Sequence, residues 1–189
     1  MKNKNILLAV CGSISFYKAF EILSLLKKNG ANVKVLLSDG ALKFTTPLGF
    51  EALSDGVLTP FNESWTNGLD HISFSKNDLL IIAPASANSI NKIANGIADN
   101  IFLQTILAAS CPKIIAPAAN YNMLDNPATI RNLKILKDDG FIIIEPTIKT
   151  LACGDYGKGA LNEPWVIVET AKRVLNQDKF YKNKKVCIK

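Results

Sequence analysis

Cysteine is scarce in this chain, and its four copies (Cys11, Cys111, Cys153, Cys187) are far apart, with no C-x-x-C spacing. That argues against a zinc site and a disulfide framework, and no metal is expected. Long apolar runs are missing too. None approaches the roughly 20 residues that a membrane-spanning helix needs. Residues 6–10, behind the basic start Met1-Lys2-Asn3-Lys4-Asn5, are too few for a signal-peptide core. A cytoplasmic protein without membrane attachment is expected. No G-x-G-x-x-G follows the first apolar run, which disfavours a dinucleotide. The net charge of +6 lies largely in the tail and on helix faces, so a nucleic-acid partner is not expected. Repeats and low-complexity segments are absent.

What is present is a regular alternation. A hydrophobic content of 48% in 189 residues is enough for one domain with a substantial core. Short apolar runs at 6–10, 33–37, 79–83, 114–116 and 141–144 read as strands. Between them, residues 16–29 repeat apolar side chains at helical spacing until Gly30, and 89–109 do so with a break near Gly96. Residues 127–139 open on Pro127 and end at Gly140, and 164–176 form a last helix. Continuous apolar strands separated by helices predict an α/β fold, a parallel sheet with helices on both faces. The stretches 59–77 and 145–163 read as long irregular loops, a length usually tied to function or disorder.

Ligands of open α/β sheets bind beyond the carboxyl ends of the strands, where four loops are expected. Cys11-Gly12-Ser13-Ile14-Ser15 is small enough for backbone N–H groups to face a phosphate, as in a mononucleotide such as FMN. Ser38, at the end of the second strand, could add a hydroxyl. In Pro84-Ala85-Ser86-Ala87-Asn88-Ser89, small side chains admit a flat ring and Ser86 and Asn88 offer hydrogen bonds. Asn120, in the loop 117–123, can donate its amide to a carboxylate or carbonyl. Ala152-Cys153-Gly154-Asp155-Tyr156-Gly157-Lys158-Gly159 combines a cysteine with three glycines, a reachable segment able to close over a ligand. Each loop also has a plain structural reading, as a tight βα turn, a helix cap, a turn asparagine or a glycine-rich surface loop. His71, the only histidine, is the natural general base near neutrality, or else a structural residue.

Occurring together and in this order, these segments resemble the homo-oligomeric flavin-containing cysteine decarboxylases, and within them the phosphopantothenoylcysteine decarboxylase part of the bifunctional coenzyme A biosynthesis flavoprotein. The block Pro84-Ala85-Ser86-Ala87-Asn88 is intact and is followed by Lys92-Ile93-Ala94-Asn95-Gly96-Ile97-Ala98-Asp99-Asn100. The motif at 117–123 has Ala119 where the family has methionine. The cysteine clamp matches through Gly159, then has Ala160 and Leu161 in place of arginine and methionine.

The resemblance implies a three-layer Rossmann-like or flavodoxin-like fold over residues 1–178, with FMN as cofactor. It places the flavin against Gly12, Ser13, Ile14, Ser38, Ser86, Ala87, Asn88, Ser89 and Ala119, and the substrate against Asn120, Met123, Ala152 and Lys158, with Lys158 the candidate replacement for the missing arginine. His71 is then the base, Asn120 the grip on the substrate carboxylate and Cys153 the final proton donor. The implied reaction converts phosphopantothenoylcysteine to phosphopantetheine. The terminal cysteine is oxidised by hydride transfer to FMN, the resulting thioaldehyde loses carbon dioxide, and the enethiolate is reduced again. Slower turnover or altered clamp closure is the expected effect of the departures. Peptidyl-cysteine decarboxylation and a non-catalytic regulatory flavoprotein are the alternative functions. Family members assemble as homotrimers or homododecamers. The basic tail 179–189 resembles the start of the ligase domain, fused or separate, or a linker to it.

Overall fold

The computed structural model describes residues 1–64, 70–151 and 154–182, with side chains through residue 176. Six parallel strands form the main sheet: β1 (Asn5–Val10), β2 (Asn32–Leu37), β3 (Val57–Leu58), β4 (Leu79–Ala85), β5 (Lys113–Pro117) and β6 (Phe141–Ile143). Their order is β3-β2-β1-β4-β5-β6. The chain winds outward from β1 to β3, crosses back beside β1, and winds outward again to β6. The reversal between β1 and β4 leaves a crevice above their carboxyl ends. This is the α/β, Rossmann-like architecture that the sequence predicts.

Alternation explains the unbroken apolar strands. Ile6, Leu8 and Val10 face one layer with Ile22, Leu23 and Leu26 of α1 (Lys18–Lys28) and Ile167 and Ala171 of α8 (Pro164–Lys182). Leu7 and Ala9 face the other layer, with Ile90 of α4 (Ala87–Ala94) and Phe102 and Ile106 of α5 (Ile101–Ala108). Both faces being covered, every position of such a strand must be apolar. The helices start where side chains cap them. Ser86 Oγ accepts from Ser89 N at 3.3 Å, and Asn100 Oδ1 accepts from Leu103 N at 3.0 Å. The expected break at Gly96 is the turn between α4 and α5, with φ +66. Asn126 caps α7 (Pro127–Asp138), which packs against α4.

The two stretches read as irregular are not wholly so. The first contains α3 (Asp70–Ser75), which packs against α5. The second contains an antiparallel hairpin, β7 (Thr147–Thr150) and β8 (Tyr156–Ala160). Its strands are polar or glycine-rich and mostly exposed, so they lack the apolar signature of a strand. Two short helices, α2 (Leu48–Glu51) and α6 (Tyr121–Leu124), and two 3-10 turns, Ile14–Tyr17 and Ala41–Lys43, complete the elements described. Among the described residues no helix is long and apolar enough to cross a membrane, and no group of three or more His, Cys, Asp or Glu could hold a metal.

Asp78 ties the chain's start to the loop before β4. Lys4 Nζ donates to its carboxylate at 2.6 Å and Asn5 N at 2.8 Å. The lysine bond, more than the opposing desolvation, holds this carboxyl below the usual range. A depressed folded pKa stabilises the fold above the unfolded pKa of about 3.9 and loses that effect as pH falls through the folded value. Asp78→Asn should therefore lower Tm near neutrality, and the gap to the parent should close at low pH. Melting curves at stepped pH measure this, and a constant gap would contradict it.

Candidate active site

Above the switch point lies a cleft of about 880 Å³, the size of a small-molecule site. Four chain segments build it. After β1, Gly12 runs against the β2 loop. A Cβ there would stand 2.6 Å from the Gly40 carbonyl carbon, so two backbones meet where no side chain fits. Ser13 Oγ accepts from Ser15 N and donates to Ala118 O, both at 3.3 Å, which joins the first loop to the third. Ser38 Oγ accepts from Ala41 N at 3.1 Å and keeps its own O–H to donate. Gly12, Ser13, Ile14 and Ser38 all line the cleft.

The second segment is the start of α4. Ser86 donates to Ser89 Oγ at 3.1 Å, and Ala87 and Asn88 complete this part of the lining. Behind it stands Cys11, fully buried. Desolvation raises its thiol pKa despite hydrogen bonds to Ser89 and Ser86, so it is a neutral packing group and not a nucleophile. The third segment follows β5. Ala119, Asn120 and Met123 line the cleft. Asn120 Oδ1 accepts from Asn122 N at 2.9 Å, and its Nδ2 donates to Asp155 at 3.4 Å.

The hairpin is the fourth segment. Ala119 N donates to Gly159 O at 3.1 Å, and a Cβ on Gly159 would lie 2.2 Å from Ala119 O. A Cβ on Gly157 would lie 3.0 Å from the Tyr121 ring. Glycine at 157 and 159 thus serves close packing against Tyr121 and Ala119. Gly154 alone of the three has a left-handed φ, +88. Ala152 and Cys153 lie outside the described residues. Ala160 and Leu161 both line the cleft, and Leu161 is fully buried in the core as well.

Two expected residues are placed elsewhere. Lys158 pairs with Glu145 at 2.6 Å and is not among the lining residues. His71 sits half-buried on α3, also off the lining. Among the described residues, the cations that do line the cleft are Lys18, Lys92 and Lys149, against one acid, Asp39. Lys92 pairs with Asp99 at 2.5 Å. Lys18 and Lys149 share Glu163. The Lys149 hydrogen bond is the largest influence on Glu163 and lowers its pKa, and the same bond raises that of Lys149. Sequence reading missed these lysines because each looks like an ordinary solvent-facing helix or loop residue. The one available signal was the position of Lys18, a turn beyond the first loop.

The donor set suits a phosphorylated ligand with a flat ring: tight glycine and serine turns, rotatable hydroxyls, alanines at 87, 118 and 119, and excess positive charge. Known proteins agree. The chain is 46% identical over 176 residues to the coenzyme A biosynthesis bifunctional protein CoaBC of Bacillus subtilis, covering 92% of this chain and 43% of that protein. It therefore spans less than half the length of that bifunctional relative. It is 40% identical over 177 residues to the probable phosphopantothenoylcysteine decarboxylase of Streptococcus mutans, covering 91% of this chain and 99% of that protein. Among solved structures, a PPC decarboxylase cysteine-to-serine mutant complexed with pantothenoylaminoethenethiol superposes with TM-score 0.80 at 33% identity, covering 91% of this chain and 98% of that one. The FMN-dependent cysteine decarboxylase SpaF superposes with TM-score 0.81 at 29% identity, covering 93% and 97%. The family model described as Flavoprotein matches residues 1–176, and the chain belongs to that family.

Proposed function

We propose that this chain is an FMN-dependent decarboxylase that converts phosphopantothenoylcysteine to phosphopantetheine. The observation that carries the reading is the single cleft into which Gly12, Ser38, Ser86, Asn120 and Gly159 converge from five separate parts of the sequence. Bound FMN would supply reversible hydride acceptance, and the protein orientation and protons. Gly12, Ser13, Ile14 and Ser38 would hold the flavin phosphate. Ser86, Ala87, Asn88, Ser89 and Ala119 would line its ring.

Asn120 already donates its amide to a carboxylate, that of Asp155. The substrate carboxylate would take that place, which fixes the bond to be broken against the ring. Met123 and Ala152 would flank the substrate. Cys153 would give the last proton, since a thiol with a pKa of about 8.5 is still protonated at neutral pH. His71 would act as the base. Because α3 stands off its own cleft, we place His71 in the cleft of a neighbouring copy, in a homotrimer or a larger assembly of trimers. Residues 179–189 would lead into a ligase domain, and the enzyme would work in the cytoplasm, where coenzyme A precursors are made.

The test is Cys153→Ser. The purified variant should keep its flavin absorbance, release carbon dioxide from phosphopantothenoylcysteine, and yield no phosphopantetheine. Normal product yield would remove Cys153 from the last step. A colourless parent protein that releases no carbon dioxide would overturn the whole reading.

A further inference from the structure

The amide of Asn120 cannot turn freely. Its Oδ1 is engaged at the start of α6, where it accepts from Asn122 N at 2.9 Å. Flipping the amide would break that cap, so the NH₂ end is the end offered outward. What meets it in this chain is a carboxylate, Asp155, at 3.4 Å. The bond is longer than the usual range of about 2.7–3.2 Å and open to water. An incoming acceptor can displace it.

Backbone bonds put Asp155 there. Leu151 N donates to Asp155 O at 2.7 Å, and Gly154 N donates to Leu151 O at 2.9 Å. Gly154 takes the left-handed step between them, with φ +88. The next residue, Tyr156, pairs with Thr150 across the hairpin. Asn120, Thr150 and Leu151 line the cleft, whereas Asp155 is exposed and stands outside the lining. Asp155 therefore reaches the amide from the rim, and a ligand reaches it from within. The substrate and product of the proposed reaction differ at the group such an amide reads. The substrate carries a carboxylate where the product carries hydrogen.

We propose that Asp155 is a specificity-determining residue, a built-in competitor for the Asn120 amide that a ligand's carboxylate must displace and a decarboxylated ligand leaves in place. The proposal rests on the decarboxylase reading and deepens it. Two carboxylates on one neutral amide repel each other, so the exchange is one for one. Substrate entry parts Asp155 from Asn120. Once carbon dioxide has left, Asp155 regains the amide. Affinity for the substrate is lowered, and between turnovers the amide is closed to unrelated acids.

The test uses two ligands that differ only in the carboxylate, phosphopantothenoylserine and phosphopantothenoylethanolamine. Their hydroxyl in place of the thiol blocks the thioaldehyde step. Calorimetry on the FMN-loaded protein gives Kd for each. Asp155→Ala should tighten the serine compound about fivefold, the scale of one exposed hydrogen bond, and leave the ethanolamine compound unchanged. Asp155→Asn, which keeps an acceptor without the charge, should give an intermediate preference. A disturbed hairpin would weaken both ligands alike and leave their ratio unmoved. An unchanged preference in Asp155→Ala would overturn the proposal, and so would a reduced one, which would make Asp155 an aid to substrate binding. In an Asn120→Ala background, Asp155→Ala should have no further effect on the preference. The same fivefold gain there would assign the effect to charge at a distance and end the competition for the amide. If the parent releases no carbon dioxide from phosphopantothenoylcysteine, the decarboxylase reading fails and this proposal with it. Release with an unchanged preference overturns the role of Asp155 alone.

Discussion

His71→Asn is expected to keep the flavin and to slow carbon dioxide release by about 10²–10⁴-fold, the range for a positioned general base. The argument is one of supply. His71 is the chain's single histidine, and no other side chain has an unperturbed pKa near the pH at which such a base works. Yet it lies on α3, whose packing partner is α5, and it does not line its own cleft. If a second copy receives it, two dead variants should complement each other. Asn120→Ala damages the cleft and leaves His71 intact; His71→Asn does the reverse. Refolded together, the two should form some sites with both groups sound and recover a measurable fraction of parental activity, although each alone is inactive. An active His71→Asn enzyme would end the histidine's role. Absence of recovery in verified mixed oligomers would return every group to one chain.

Gly159→Ala is expected to be the most damaging glycine substitution on the cleft rim. The new methyl would stand 2.2 Å from Ala119 O, a distance real Cβ atoms do not adopt. Neither side can yield by a side-chain rotation, since both are backbone and are already joined by the Ala119 N to Gly159 O bond. The hairpin must move away from the segment that carries Asn120. Overpacking of this kind costs about 1–3 kcal/mol, read as roughly 2–4 °C of Tm per kcal/mol in a domain of this size. Activity should fall further, because the hairpin and Asn120 separate. Gly96→Ala is the control. Its φ of +66 is unfavourable for alanine, but nothing lies within 4 Å of the added methyl, so only backbone strain of about 1 kcal/mol is expected. Equal losses of stability in the two variants, with activity kept in both, would mean the close approach is not what requires glycine at 159.

The sheet was legible because its strands are buried on both faces. Leu7 and Leu8 point to opposite layers and are both fully enclosed, so burial leaves a continuous apolar run. Helix limits were legible where the signal is local chemistry, as at Pro127 and Gly140. The hairpin was not, because Thr-Ile-Lys-Thr and Tyr-Gly-Lys-Gly-Ala pair outside the main sheet and bury little. The cleft loops could be named in advance because topology, not side-chain pattern, puts them together. Topology could not show that Lys18 and Lys149 meet on one carboxylate, since they stand 131 positions apart in the sequence. Nor could it show that Lys158 turns outward to Glu145.

Among the described residues, the hairpin shares no strand pairing with the six-stranded sheet. The Ala119–Gly159 backbone bond, the Tyr121–Gly157 approach and the Lys149–Glu163 pair anchor it from three directions. Its opening can therefore proceed as a small independent unit, at a free energy well below that of global unfolding. In amide hydrogen exchange, β7 and β8 should lose protection long before β1 and β4 at the centre of the sheet. A ligand gripping both Asn120 and Lys149 would close that gap in exchange rate without changing the rest of the fold.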